Sequence, residues 1–135
     1  MSVDPRRTSA QRLGDAAESL VAIRLAALGW RILGRQVRIG RDEIDLLAVD
    51  PGPPMELVVV EVRWRSRRDF GLVEETFDWR KRRHLHRALY ALLATGRLAD
   101  GQVVPALAGR VDLVVVEPPS VGDVTPRIRH HRSVA

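Results

Sequence analysis

Apolar positions along this chain change their spacing several times, and each change marks a predicted element. An alanine- and leucine-rich segment runs from Ser9 to Leu28, preceded by Thr8 and Gln11 at capping-box spacing and followed by Gly29 as a stop. These features predict a first helix. Trp30–Ile39 reads as a strand, with Trp30, Ile32 and Val37 set among arginines. Glu43–Val49 and Leu57–Trp64 read as two further strands joined by Asp50-Pro51-Gly52-Pro53-Pro54, a dense breaker cluster. A second helix is expected from about Asp78 to Ala94, with Leu85, Ala88, Leu89 and Leu92 on one face and Gly96 at its end. Arg110–Glu117 is another strand, closed by Pro118-Pro119, and Pro126–His131 suits an edge strand. The order αβββαβ(β) describes an α/β domain, with one face of a sheet expected to carry both helices. Neither an internal repeat nor a low-complexity segment is present.

Composition narrows the chemistry. At 135 residues, 45% hydrophobic and 29% charged, the chain has the size and balance of one globular domain. Residues 1–8 read as a flexible N-terminus, 9–131 as the domain and 132–135 as a tail. The absence of cysteine excludes disulfides and thiolate metal sites, so any metal would be held by oxygen or imidazole donors, which favours Mg²⁺ or Mn²⁺. No apolar run approaches the roughly 18 residues of a membrane span, and Met1–Arg7 lacks an apolar signal core; the expected setting is the cytoplasm, without a membrane partner. The net charge of +5 is carried almost wholly by arginine, and Lys81 is the sole lysine. Such a surface suits a phosphate polyanion, although genomic base composition also raises arginine content.

Two acidic runs then stand out: Glu43-Ile44-Asp45, and Glu61-Val62-Arg63 in LVVVEVRWR. Each carboxylate lies in a strand of otherwise apolar, β-branched residues, where an unpaired charge costs several kcal/mol. Strand alternation places Glu43, Asp45 and Leu47 on one face, and Val59, Glu61 and Arg63 on one face. With Val49 opposite Leu57 across the Pro53 turn, Asp45 falls opposite Glu61 and Glu43 opposite Arg63. Two carboxylates so placed repel unless a cation lies between them. The plainer alternative is a buried ion network, with Arg63 serving Glu43 or Glu61 and Arg38 or Arg41 serving Asp45. Glu18 sits among Gly14, Val21, Ala22 and Leu25 at helical spacing and is expected to face the sheet, or else to lie at its boundary. Lys81 continues the inward stripe of Leu85, Ala88 and Leu92, as a site residue or as a packed stem with its amine in water.

With these residues placed, the chain resembles the YraN-type family of predicted endonucleases, relatives of the PD-(D/E)xK nucleases. The matching pieces are Glu18 and Gly29, Gln36-Val37-Arg38 before Glu43-Ile44-Asp45, Val60-Glu61-Val62-Arg63, Phe70-Gly71, Lys81, and Arg110-Val111-Asp112. Gln36 stands for the family's Asn, Asp42 for a Gly, and Arg63 for the superfamily lysine; the family's aromatic tail is absent. The resemblance implies a restriction-endonuclease-like mixed β-sheet with two main helices. It also implies a metal-dependent endonuclease acting on DNA or structured nucleic acid by phosphodiester hydrolysis. Asp45 and Glu61 would be Mg²⁺ or Mn²⁺ ligands, joined by Glu18 directly or through water.

Arg63 stays protonated and so would clamp phosphate rather than act as a base, with Lys81 as a second cation. Arg38, Arg65, Arg67 and Arg68 are candidate backbone contacts beside the cleft. Arg80, Arg83, His84 and Arg87 form a second candidate track or a solvated helix face. Trp64 is expected in the core, His84 and His86 lack zinc spacing, and His130-His131 read as tail composition. Nucleic acid, DNA first, is the expected partner, with a homodimer left open. The rival class is a nucleic-acid-binding module that keeps the nuclease fold without turnover; a structural protein built on an ion network is a third.

Overall fold

The computed structural model describes residues 6–65 and 77–134. Helix α1 (Ser9–Ala27) leads into strands β1 (Arg31–Ile39), β2 (Asp42–Asp50) and β3 (Glu56–Trp64), then helix α2 (Trp79–Thr95) and strands β4 (Gly109–Glu117) and β5 (Arg127–His131). The predicted capping box forms: the Gln11 N–H donates to Thr8 Oγ1 at 3.1 Å, and the Thr8 N–H donates to Gln11 Oε1 at 2.7 Å. At α2 the Asp78 carboxylate caps the Lys81 N–H at 3.0 Å, and Gly96 closes the helix in the left-handed conformation, φ 71°.

The five strands form one mixed sheet in the order β1-β2-β3-β4-β5. All neighbours are antiparallel except β3 and β4, which run parallel from Leu57 beside Gly109 to Trp64 beside Val116. A parallel pair needs a crossover, and α2 lies in it. A Cβ on Gly109 would come within 2.8 Å of Leu89, so this glycine permits the close approach of α2 to β4.

The helices lie on opposite faces of the sheet, which corrects the expectation that both cover one face. Leu85, Ala88, Leu89 and Leu92 of α2 pack with Leu47, Val49, Leu57, Val59, Val111, Leu113 and Val115. Ala17, Val21 and Leu25 of α1 pack with Leu46, Ala48, Val58, Val60, Val114 and Val116, together with Trp30 and partly buried Trp64. The continuous apolar runs of β3 and β4 are the physical reason. A strand wet on one face alternates, whereas Leu57-Val58-Val59-Val60 is buried at every position.

At the β2–β3 turn a second structure-wide constraint appears. Arg110, almost fully buried, donates to Asp112 Oδ1 at 2.9 Å, Glu56 Oε1 at 2.9 Å and Asp50 Oδ2 at 2.7 Å, with its guanidinium 5.4 Å from the Trp30 ring centre. His130 adds a hydrogen bond from Nε2 to Asp112 Oδ2 at 2.8 Å, so it is an internal partner rather than tail composition. The segment after it is also fastened: the Ser133 N–H donates to Asp112 Oδ1 at 3.0 Å and the Val134 N–H to the Val111 carbonyl at 2.8 Å.

Burial pushes Asp112 and Asp50 upward, but the bonds from His130 and Arg110 to Asp112, and from the Gly52 N–H and Arg110 to Asp50, outweigh it. Both carboxyls are therefore held below the usual range. Their stabilisation is fully present above about pH 4 and fades as pH falls through the lowered folded values. Arg110→Met should cost about 3–5 kcal/mol at pH 7 in urea unfolding, because it leaves carboxylates buried without their central cation. That deficit should shrink as the pH is lowered toward 3.

Candidate active site

The site begins with an interruption in two neighbouring strands. Ile44 packs in the α2-side core and Leu46 in the α1-side core, although strict alternation would give them one face. In β1, Gln36 has φ 49°, a left-handed value that is uncommon outside glycine, asparagine and aspartate. Gln36 and Asp45 occupy the same gap in the ladder, between the pairs Arg35/Leu46 and Val37/Ile44. Both strands therefore turn over at one level and resume in register. The expected common face for Glu43, Asp45 and Leu47 does not survive this reversal.

On its other side β2 follows β3 with Val49 opposite Leu57, as predicted, but the ladder stops at Leu46 and Val60. Asp45 takes over with its side chain: the Val62 N–H donates to Asp45 Oδ2 at 2.8 Å. The half-buried Asp45 carboxyl also shares a hydrogen bond with the buried Glu61 carboxyl. The facing pair inferred from register is thus present as a side-chain contact. Arg63 is not opposite Glu43; it bonds Glu61 Oε2 at 3.3 Å, while exposed Glu43 meets Arg38 at 3.5 Å.

Burial is the largest influence on Asp45, followed by its hydrogen bond to Glu61 and the Glu61 charge, opposed by the Val62 N–H and by Lys81. The Asp45 carboxyl is pushed up to about 7, well above the usual carboxylate range, so it keeps a proton into the neutral region. Glu18 reaches the same neighbourhood from α1. It is buried and accepts from Arg35 Nε at 3.1 Å and from the Gln36 amide. Burial raises its pKa, the bonds from Gln36 and Arg35 pull it back, and the Asp45 charge adds to the rise.

Two cations converge on one oxygen. Lys81 Nζ lies 3.3 Å from Glu61 Oε2, the atom that Arg63 also contacts. Both cationic side chains remain about one-third exposed, so each is reachable from solvent. Buried Phe77 lies beneath Arg63, its ring centre 6.0 Å from the guanidinium carbon, and holds it toward Glu61. Five residues singled out in the sequence, Glu18, Asp45, Glu61, Arg63 and Lys81, thus meet from two helices and two strands. Arg35, Gln36 and Phe77 support them and were not assigned that work from sequence. In the sequence Gln36 stood out only as the residue in place of the family's Asn.

The donors are all oxygen, and a hard cation beside Asp45 and Glu61 would relieve the repulsion between their charged forms. Among the described residues, no group of three or more Asp, Glu or His side chains is placed to hold a metal ion together. Two carboxylates with room for water and phosphate oxygens are nonetheless what Mg²⁺ commonly uses.

The remaining candidate contacts are dispersed. Arg65 pairs with Glu117 at 2.9 Å, and exposed Arg38 lies with Glu43. Arg87 makes a two-pronged contact with Asp42 at 2.7 and 2.9 Å. Arg80 and Arg83 lie over the Trp79 ring. Arg67, Arg68 and the Phe70-Gly71 pair lie outside the described residues. No helix among the described residues is long and apolar enough to cross a membrane.

Comparison with known proteins agrees with the YraN-type resemblance. The family described as "Uncharacterised protein family UPF0102" matches residues 17–116. A UPF0102 protein of Symbiobacterium thermophilum is 40% identical over 118 residues, covering 87% of this chain and 92% of that protein. One from Roseiflexus castenholzii is 37% identical over 111 residues, 82% of this chain and 81% of the relative. The chain belongs to the UPF0102 family.

The raised Asp45 pKa has a signed consequence for stability. Between about pH 4 and 7 the folded state holds a proton that the unfolded state has released, so metal-free stability falls as pH rises through that window. Asp45→Asn removes the titration. In chelator-treated protein the variant should gain on wild type by on the order of a few kcal/mol from pH 5 to pH 8, read by thermal unfolding. A constant difference across that range would contradict the shared proton.

Proposed function

We propose that this UPF0102 protein is a divalent-metal-dependent phosphodiesterase, an endonuclease-like enzyme that hydrolyses DNA or structured nucleic acid. The carrying observation is the hydrogen-bonded Asp45–Glu61 pair with Arg63 and Lys81 at the same Glu61 oxygen. Acidic groups beside phosphate-binding cations are unhelpful to a protein that only binds a polyanion. Asp45 and Glu61 would hold Mg²⁺ or Mn²⁺, with Glu18 contributing directly or through water. When bound, the ion supplies a water of lowered pKa and neutralises charge on the phosphate oxygens.

The chain's own residues supply the rest. Arg63 remains protonated throughout, so it binds and orients the scissile phosphate and does not accept a proton. Lys81 adds a compact second charge for the negative charge that grows during attack. Arg35 and Gln36 hold Glu18 in place from β1. The Asp45–Glu61 pair must release its shared proton before it can act as a dianionic ligand set, so metal affinity rises with pH through about 7.

One observation favours a second reading. Both cations already neutralise Glu61, so the cluster is partly self-satisfied without a metal. In that case the protein is a nucleic-acid-binding module that retains the fold without turnover.

Mn²⁺ titration by calorimetry and thermal shift, followed by incubation with single-stranded, duplex, flap and junction DNA and with RNA, separates the two. The enzyme reading expects metal to raise the melting temperature and to trigger cleavage of at least one substrate. Asp45→Asn and Glu61→Gln should each lower cleavage by roughly 100-fold or more. Tight, salt-sensitive binding without any cleavage in Mg²⁺ or Mn²⁺ selects the binding module.

A further inference from the structure

Trp79 is an exposed aromatic on the solvent side of α2, the helix whose inward face carries Lys81. Trp79 is 62% exposed, whereas Trp30 is 5% exposed in the core. It occupies the first helical position of α2, directly after the Asp78 cap and two residues before Lys81, whose amine contacts Glu61. The Arg80 and Arg83 guanidinium carbons lie 5.6 and 6.0 Å from its ring centre.

Helical spacing extends this feature. Leu85, Ala88, Leu89 and Leu92 take the face toward the sheet, which leaves Trp79, Arg83, Arg87 and Tyr90 along the solvent side. Trp79 to Tyr90 is eleven residues, about 16 Å of helix. Cation–π contact with two arginines is worth about 0.5–1 kcal/mol at an exposed site and is the modest structural use of such a ring. Its place in a solvent-facing strip of arginines on α2 supports a larger one. An aromatic face flanked by guanidinium groups offers a nucleotide both a stacking surface and charge for its phosphate.

We propose that Trp79 is a base-stacking platform and that the preferred ligand is nucleic acid carrying an unpaired base. This assignment rests on the phosphodiesterase reading and names its substrate class. In an uninterrupted duplex each base face is covered by its neighbours, so an external ring cannot stack on it. A single strand, flap or frayed end presents that face freely. Arg80 and Arg83 would contact the phosphates flanking that base.

The test is binding of fluorescently labelled single-stranded and blunt duplex oligonucleotides of equal length, in EDTA so that cleavage is silent. Wild type should bind the single strand more tightly than the duplex, with quenching of tryptophan emission. Trp79→Ala should weaken single-strand binding by about 5- to 150-fold while changing duplex binding less than about twofold. Trp79→Phe should retain most of the affinity but lose most of the quenching, because Trp30 and Trp64 lie in the α1-side core. Equal losses on both ligands, or no loss on the single strand, would overturn the platform, provided that the variant's melting temperature matches wild type; Trp79→Phe is the folded control. Trp79-dependent single-strand binding with no cleavage in Mn²⁺ would instead sink the phosphodiesterase reading and leave the platform standing. Cleavage that is indifferent to Trp79→Ala would do the reverse.

Discussion

Two carboxyl groups in contact and largely withdrawn from water cannot both be charged unless a cation stands near, and that constraint organises one end of this sheet. Asp45 and Glu61 meet it with a shared proton, the Val62 N–H, and the charges of Lys81 and Arg63. The arrangement depends on the sheet being covered on both sides. α1 brings Glu18 from one face and α2 brings Lys81 from the other, while β2 and β3 supply the pair between them. Withdraw either helix and the carboxylates return to water, where their mutual repulsion falls to about 1 kcal/mol.

The opposite end of the sheet treats the same problem differently. Arg110 divides its donors among Asp50, Glu56 and Asp112, and Arg132 and His130 take up remaining acceptors. Every carboxylate there has Arg110 as a cationic partner. At the candidate site Arg63 and Lys81 both go to Glu61, while Asp45 has no ion pair among the described residues. A merely structural network has no reason to crowd one oxygen and leave its neighbour protonated. The contrast within a single chain is a stronger argument for a function at Asp45 than either cluster taken alone.

Sequence showed much of this, and the failures have physical causes. The hairpin register followed from a strong turn and from apolar runs on both sides, and Val49 does face Leu57. Placing both helices on one face ignored the unbroken Leu57–Val60 run, whose lack of alternation already implied two covered faces. The side-chain faces near Asp45 were misjudged because alternation presumes extended backbone, and Gln36 at φ 49° breaks that presumption. A glutamine does not advertise a left-handed conformation as an asparagine or glycine does. Arg35 and Phe77 went unassigned because contact with Glu18 and Arg63 is a product of tertiary packing, without a periodicity to expose it.

The reversal at Gln36 also bears on how the site would work. Its amide reaches Glu18 from a backbone conformation that costs about 1 kcal/mol or more for a residue with a Cβ. The same gap in the ladder releases Asp45 from backbone pairing with β3 and lets its carboxylate take the Val62 N–H. One local distortion therefore positions two of the three acidic groups, and the third lies on the regular neighbouring strand. On the proposed reading this division has a purpose. Glu61, fixed by β3 and held by two cations, is the invariant side of the site. Asp45, set by the reversal, is the side whose carboxyl is held well above its ordinary range. With Arg63 unable to accept a proton at any working pH, a proton released during attack on phosphate must be taken up by a carboxylate or by solvent.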